Sequence, residues 1–172
     1  MSIEVLLKNQ QMNDPVWKFM SSLKDSNFFD PWAAKGNSLL RLIHYPPVTN
    51  NSNKLRARAH EDINLITLLV GAEESGLEVK SKKGTWVPIK ASSNAIVCNI
   101  GDMMQLVTDG LLLSTTHRVI SYPESQSKSR YSMPFFLHPS PDIILKSIFD
   151  ETDEGVLADD FLTERLKAIK LY

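Results

Sequence analysis

A disulfide framework is the first thing this sequence lacks. One cysteine, Cys98, stands in 172 residues, which excludes an internal disulfide and fits a reducing cytoplasm. Its place in the apolar run AIVCNI reads as that of a small buried hydrophobe. An excess of either charge is also missing: 19 Lys and Arg against 20 Asp and Glu leave a formal net charge of -1. That removes the basic footprint by which proteins hold nucleic acid or an anionic membrane. Long hydrophobic runs are absent as well, since no stretch approaches the roughly 20 apolar residues of a membrane span. The opening MSIEVLLKNQQMNDP is too short in its apolar part and too polar afterwards for a signal peptide. The expectation is a soluble cytoplasmic protein with no nucleic-acid and no membrane partner.

What is present is ordinary globular material, 42% hydrophobic and 23% charged, enough for one core. Asp14 before Pro15 is a helix-start signal and predicts a short helix over residues 15–23. A connector follows, and then the run SLLRLIHY, which stops at Pro46 and Pro47. From Leu39 to Leu137 the apolar runs are short and separated by turn residues: INLITLLV, LEVKS, TWVPIK, AIVCNI, STTHRVIS and RYSMPFFL. That rhythm is all-β, with a sandwich, jelly roll or barrel as candidates. Lys82, Lys83 and Gly84 sit at hairpin spacing, and DMMQLVTD is a helical interlude with Asp102 as its cap and Gly110 as its stop. Leu162, Leu166 and Ile169 mark one face of a closing helix, with Asp159 and Asp160 early and Lys167 and Lys170 late.

The chemistry gathers on few residues. His60 and Asp62 are two apart before a strand-like run, so an extended backbone presents both on one face. An imidazole and a carboxylate side by side are two thirds of the 2-His-1-carboxylate facial triad of non-haem iron sites. His117, inside the β-branched STTHRVIS, is the candidate for the third ligand. Arg130 and Ser132 form a second one-face pair: a guanidinium fork that fits a carboxylate, with a hydroxyl beside it. Taken singly, each motif has a bland alternative, a hydrogen-bonded strand histidine or a surface ion pair. Lys54, Arg56 and Arg58 alternate ahead of His60 and read mainly as solvated charges. Trp86, Phe135, Phe136, Met103 and Met104 are candidates for a pocket lining or for core. His44 and His138 receive no role.

The order of LIHYPP, HEDINLITLLVG, NIGDMMQLVTDG, STTHRVIS and RYSMPFFLHP resembles the isopenicillin N synthase-like 2-oxoglutarate/Fe(II)-dependent dioxygenases, over Ser38 to Pro139. The resemblance implies a mainly β fold, a double-stranded β-helix or jelly roll with short N-terminal and C-terminal helices. It divides the chain into an N-terminal segment at 1–38, the oxygenase core at 39–138 and a C-terminal helical extension at 139–172. It further implies Fe(II) held by His60, Asp62 and His117. Arg130 and Ser132, assisted by Tyr45, match the carboxylate-binding group, with 2-oxoglutarate as cosubstrate. The implied activity is oxidation of a small organic substrate with O2, by hydroxylation, desaturation or cyclisation. In isopenicillin N synthase itself the equivalent pair holds a peptide carboxylate, so the pair alone does not fix the cosubstrate. Members of the family usually carry a longer region ahead of the first core strand. An alternative is therefore a catalytically silent binding module or incomplete fragment that keeps the barrel, and self-association or a partner chain is the expected cover. Glu61, between two ligands, falls on the opposite face and is not expected to ligate.

Overall fold

The short apolar runs become strands because β-branched and large aliphatic residues pack well on a pleated surface with one face buried. The computed structural model describes residues 27–48, 55–70, 75–90 and 95–169. The helix expected over 15–23, and Lys54 and Lys170, lie outside these residues. In chain order the elements are α1 (Asp30–Ala33), β1 (Leu39–Leu40), β2 (Ile43–Tyr45), β3 (Leu55–His60), β4 (Ile66–Val70), β5 (Leu77–Lys80), β6 (Trp86–Pro88) and β7 (Ile96–Ile100). After these come α2 (Asp102–Val107), β8 (His117–Ile120), β9 (Arg130–Leu137), β10 (Ile144–Leu145), β11 (Val156–Leu157) and α3 (Ala158–Ala168).

Two antiparallel sheets make the jelly roll. One has the order β1-β9-β4-β7 with β2 also on β9, and the other has β3-β8-β5-β6. Leu69 of the first sheet packs against Leu77 and Val119 of the second, with Ala57 and Val97 around them. The run expected as one strand from Leu39 to Tyr45 is divided, although its register on β9 is continuous from Leu40↔Phe135 to Ile43↔Ser132. The break falls opposite Pro134, which accepts from the Arg41 amide but has no N–H to return.

A second cluster closes one end. Leu65, Met103, Met104, Val107 and Leu145 are almost fully buried there, joined by Ala158 of α3 and flanked by Phe29 and Trp32. Each large aliphatic side chain of this kind contributes about 1.5–3 kcal/mol by leaving water. Met103 and Met104 are thus core residues. Asp102 does not cap α2: the N-cap is Gly101, with no side-chain cap bond, and the Asp102 carboxylate instead pairs with Arg165 of α3. Gly110 does stop the helix, with φ +73 and its amide donating 2.8 Å back to the Gln105 carbonyl.

Cys98 is not buried. It lies on the outer face of the five-stranded sheet, in register with Leu68, and is exposed. Apolarity of its run reflects a sheet whose outer face is apolar too: Leu68, Val70, Ile96 and Met133 are all large, exposed and on that side. Among the described residues nothing covers this face.

Candidate metal centre

Strand pairing brings the two histidines together. His60 ends β3 directly opposite His117, the first residue of β8, and the pairing shifts register between Ala57 and His60. Strict alternation would turn Ala57 and His60, three apart, to opposite faces. The extra residue of the bulge lets both line the same cavity between the sheets. Arg56 turns away to donate to Ser121 Oγ at 2.6 Å and to the Lys128 carbonyl at 2.9 Å.

The imidazole centroids are 4.4 Å apart. Asp62 Oδ1 faces both rings, 3.8 Å from His60 Nε2 and 3.7 Å from His117 Nε2. These distances are too long for hydrogen bonds, and they suit atoms arranged around a common centre. Ligand atoms about 2.1 Å from one ion sit about 3 Å apart at right angles, which small side-chain rotations here would reach. Each ring is also oriented from behind. His60 Nδ1 lies 2.6 Å from the Arg58 carbonyl and His117 Nδ1 lies 3.1 Å from the Thr115 carbonyl, an arrangement in which Nδ1–H donates to the carbonyl and Nε2 is turned toward Asp62. Among the described residues His60, Asp62 and His117 form the one group of three donors with metal-binding spacing. His60 is about half exposed while the other two are buried, which leaves the cluster open on one side.

Asp62 is held by residues that sequence reasoning missed. Its Oδ2 accepts from Thr67 Oγ1 at 2.7 Å, and Asn64 Nδ2 donates to the same Thr67 oxygen at 3.1 Å. Both are essentially inaccessible to solvent. The available signal was Thr67 itself, a polar residue on the inward phase of INLITLLV, in step with Leu65 and Leu69. The loop carrying Asp62 is pinned on α2: the Asp102 amide donates to the Asp62 carbonyl at 2.8 Å and the Gly101 amide to the Leu65 carbonyl at 2.9 Å. Any side chain at Gly101 would place its Cβ 1.9 Å from the Asn64 carbonyl oxygen, so only glycine permits this approach.

The other end of the same cavity, about 160 Å³ in volume, is lined by Tyr45, Arg130 and Ser132. Register sets Tyr45 against Arg130, and Arg130 and Ser132 share the inward face of β9. Arg130 is only 3% exposed, its Nε has no hydrogen-bond partner among the described residues, and its Cζ lies 5.5 Å from the Tyr45 ring centroid. Loss of hydration lowers the Arg130 pKa from the ordinary guanidinium value, with Tyr45 opposing and Arg56 adding to the shift. A buried cation with an unused donor, aimed into a cavity that holds a potential metal cluster, is a fitting receptor for an anionic metal chelator.

Comparison with known proteins decides the family, because residues 36–139 match the 2OG-Fe(II) oxygenase superfamily. The chain belongs to this superfamily. Among curated relatives, a 2-oxoglutarate-Fe(II) type oxidoreductase of Emericella nidulans is 34% identical over 72% of this chain. The 2'-deoxymugineic-acid 2'-dioxygenase of Hordeum vulgare is 35% identical over 70% of it. A solved 2OG-Fe(II) oxygenase family protein of Caulobacter crescentus is 43% identical over 90% of this chain, with a TM-score of 0.80. A full-length Neurospora crassa protein, solved in complex with alpha-KG and thymine, is 29% identical over 91%, with a TM-score of 0.79. This chain spans 36% and 34% of the two curated relatives and 53% and 51% of the two solved chains.

Within this oxygenase fold the remaining candidates separate. His44 stacks on Tyr131 on the outer face, 4.7 Å between centroids, away from the cluster. Glu61 accepts from Thr116 Oγ1 and stays outside the donor group. Trp86 does not line this cavity; Arg118 covers its ring at 4.0 Å. Phe136 lines the cavity, whereas Phe135 is on the opposite side of β9. Asn99 and Arg41 also line it and had carried no sequence signal of their own.

Proposed function

We propose that this chain is the catalytic core of an oxygenase that uses Fe(II), 2-oxoglutarate and O2 to oxidise a small organic molecule. The supporting observation is the shared cavity, lined both by three convergent donors and by a buried guanidinium whose Nε has no hydrogen-bond partner among the described residues. His60, Asp62 and His117 are the proposed metal ligands. They would hold the ion from one side, with the cluster left open on the side of the half-exposed His60. Arg130 and Ser132, with the Tyr45 ring beside them, bind the far carboxylate of 2-oxoglutarate and fix its direction toward the cluster. Thr67 holds the Asp62 carboxylate, and Leu69, Leu77 and Val119 keep water from the cavity wall. When bound, iron and its cosubstrate supply the oxidising chemistry, while the protein supplies position and a dry wall.

The proposed organisation keeps residues 39–138 as the core and 139–172 as an extension that packs α3 on it, with 1–38 ahead of it. The apolar outer face bearing Leu68, Val70, Ile96 and Met133 is proposed to be covered by further polypeptide, through self-association or a partner. No described helix is long and apolar enough to cross a membrane.

The test is a thermal-shift series with Mn(II) in place of iron, with and without 2-oxoglutarate, followed by a succinate assay with Fe(II) in air. Stabilisation by 2-oxoglutarate only when metal is present, with succinate formed, is the expected result. Metal stabilisation without a 2-oxoglutarate increment and without succinate would replace this reading by a silent metal-binding module.

A further inference from the structure

A second recess also reaches the metal cluster. It lies between the loop after β3 and α3, has a volume of about 220 Å³, and shares His60, Asp62, Arg41 and Phe136 with the first cavity. Its walls are apolar: Leu39 and Phe136 on one side, and Leu162, Leu166 and Ile169 on the other. Those three fall on one face of the helix and its final turn, and Ile169 remains 54% exposed. Ile169 thus continues, with Leu162 and Leu166, an apolar wall on a recess that also contains two of the candidate metal ligands.

The polar groups of this recess define what enters it. Arg41 has no carboxylate within ion-pair distance among the described residues, and its Cζ lies 5.6 Å from the Phe136 ring centroid, which steadies it at the junction of the two recesses. Glu61, the other acidic side chain here besides Asp62, is engaged by Thr116 Oγ1. The His138 imidazole also lines the recess. The recess therefore offers apolar walls, a cation without a carboxylate partner among the described residues, and an imidazole.

We propose that this recess is the substrate site and that it takes a small organic acid with an apolar body, its carboxylate on Arg41 and its body along Leu162, Leu166 and Ile169. The inference rests on the oxygenase reading above and adds to it the substrate class. Arg41 recognises the substrate, and Arg130 recognises the cosubstrate; the two cations serve two different acids. The charge on Arg41 is partly solvated, so its preference for an acid over a neutral isostere is modest, roughly 3- to 10-fold in affinity.

The experiment uses the Mn(II)-loaded protein, with and without saturating 2-oxoglutarate, titrated calorimetrically with 4-phenylbutyrate and with 4-phenylbutyramide. The acid should bind more tightly than the amide, and Arg41→Gln should bring their ratio to about one. Leu166→Asp should weaken the acid at least tenfold while the thermal shift given by 2-oxoglutarate persists, which shows an intact fold and core site. No binding of the acid, equal binding of acid and amide, or a preference that survives Arg41→Gln would overturn the proposal. If 2-oxoglutarate fails to bind while the acid keeps its Arg41-dependent preference, the Arg130 assignment falls and the recess stands.

Discussion

Replacing Thr67 by Val removes one hydroxyl from a buried carboxylate and changes almost nothing else in shape. In the native chain Asp62 Oδ2 accepts from Thr67 Oγ1 at 2.7 Å, while Oδ1 faces His60 and His117. The hydroxyl fixes which oxygen points at the metal, and the Asn64 amide behind it fixes the hydroxyl. A hydrogen bond to a charged group is worth about 1.5–3 kcal/mol, and each 1.4 kcal/mol is about tenfold in affinity. If all of that difference were expressed in metal binding, the affinity would fall by roughly 10- to 150-fold. Part of it also destabilises the metal-free protein, whose carboxylate loses the same donor, so roughly 10- to 100-fold is the expected range, as for other groups that orient metal ligands. Anaerobic competition for Fe(II) against a chelator of known affinity measures it. Thr67→Ser should recover most of the loss because it restores the hydroxyl. A Thr67→Val protein that binds iron as tightly as the unmodified chain would show that Asp62 is positioned by its backbone loop alone, and the reasoning would fail.

Three further outcomes are expected. Arg130→Ala should weaken 2-oxoglutarate binding by roughly 30- to 1000-fold, corresponding to about 2–4 kcal/mol for a charge-assisted contact in a partly dry cavity. Iron affinity should change little, and Arg130→Lys should recover only part, since an ammonium lacks the planar fork; calorimetry on the Mn(II) protein reads both. Tyr122, whose phenol is pushed up to about 12 by loss of hydration and by the hydrogen-bonded Glu78 carboxylate, keeps its proton in the folded state above the pH where the unfolded chain loses it. Stability should therefore fall as pH rises from about 10 to about 12, and Tyr122→Phe should flatten that slope in urea unfolding. The outer sheet face should drive concentration-dependent association in sedimentation, reduced by Leu68→Lys with Met133→Lys; an unmodified chain that stays monomeric throughout would contradict it.

The strands were legible because each apolar run is short and bounded by turn residues, and the candidate ligands because their spacing matches an extended backbone. Other features depend on pairing that local sequence does not encode. The β3 bulge that turns both Ala57 and His60 inward is a property of its register with β8. Thr67 acquires its role only when the loop after β3 folds back on β4, and the Arg41 break only because Pro134 lies opposite. Cys98 was misread because an apolar run was equated with burial, while the sheet has an apolar face turned to solvent. Asp102 was misread as a cap because an acidic residue at a helix start serves equally as an ion-pair partner, and Arg165, on a helix 63 positions later in sequence, claims it.

The most direct test is anaerobic titration of the Fe(II)-loaded protein with 2-oxoglutarate, followed by visible absorption, with His117→Ala as the comparison. A chelated 2-oxo acid gives a visible charge-transfer band. The unmodified chain should develop it saturably with one iron per chain. The variant, keeping its β-sheet circular dichroism, should bind neither iron stoichiometrically nor develop the band. Iron retained undiminished by His117→Ala, or a stoichiometric iron that shows no band at saturating 2-oxoglutarate, would contradict the assignment of His60, Asp62, His117 and Arg130 to one oxygenase site.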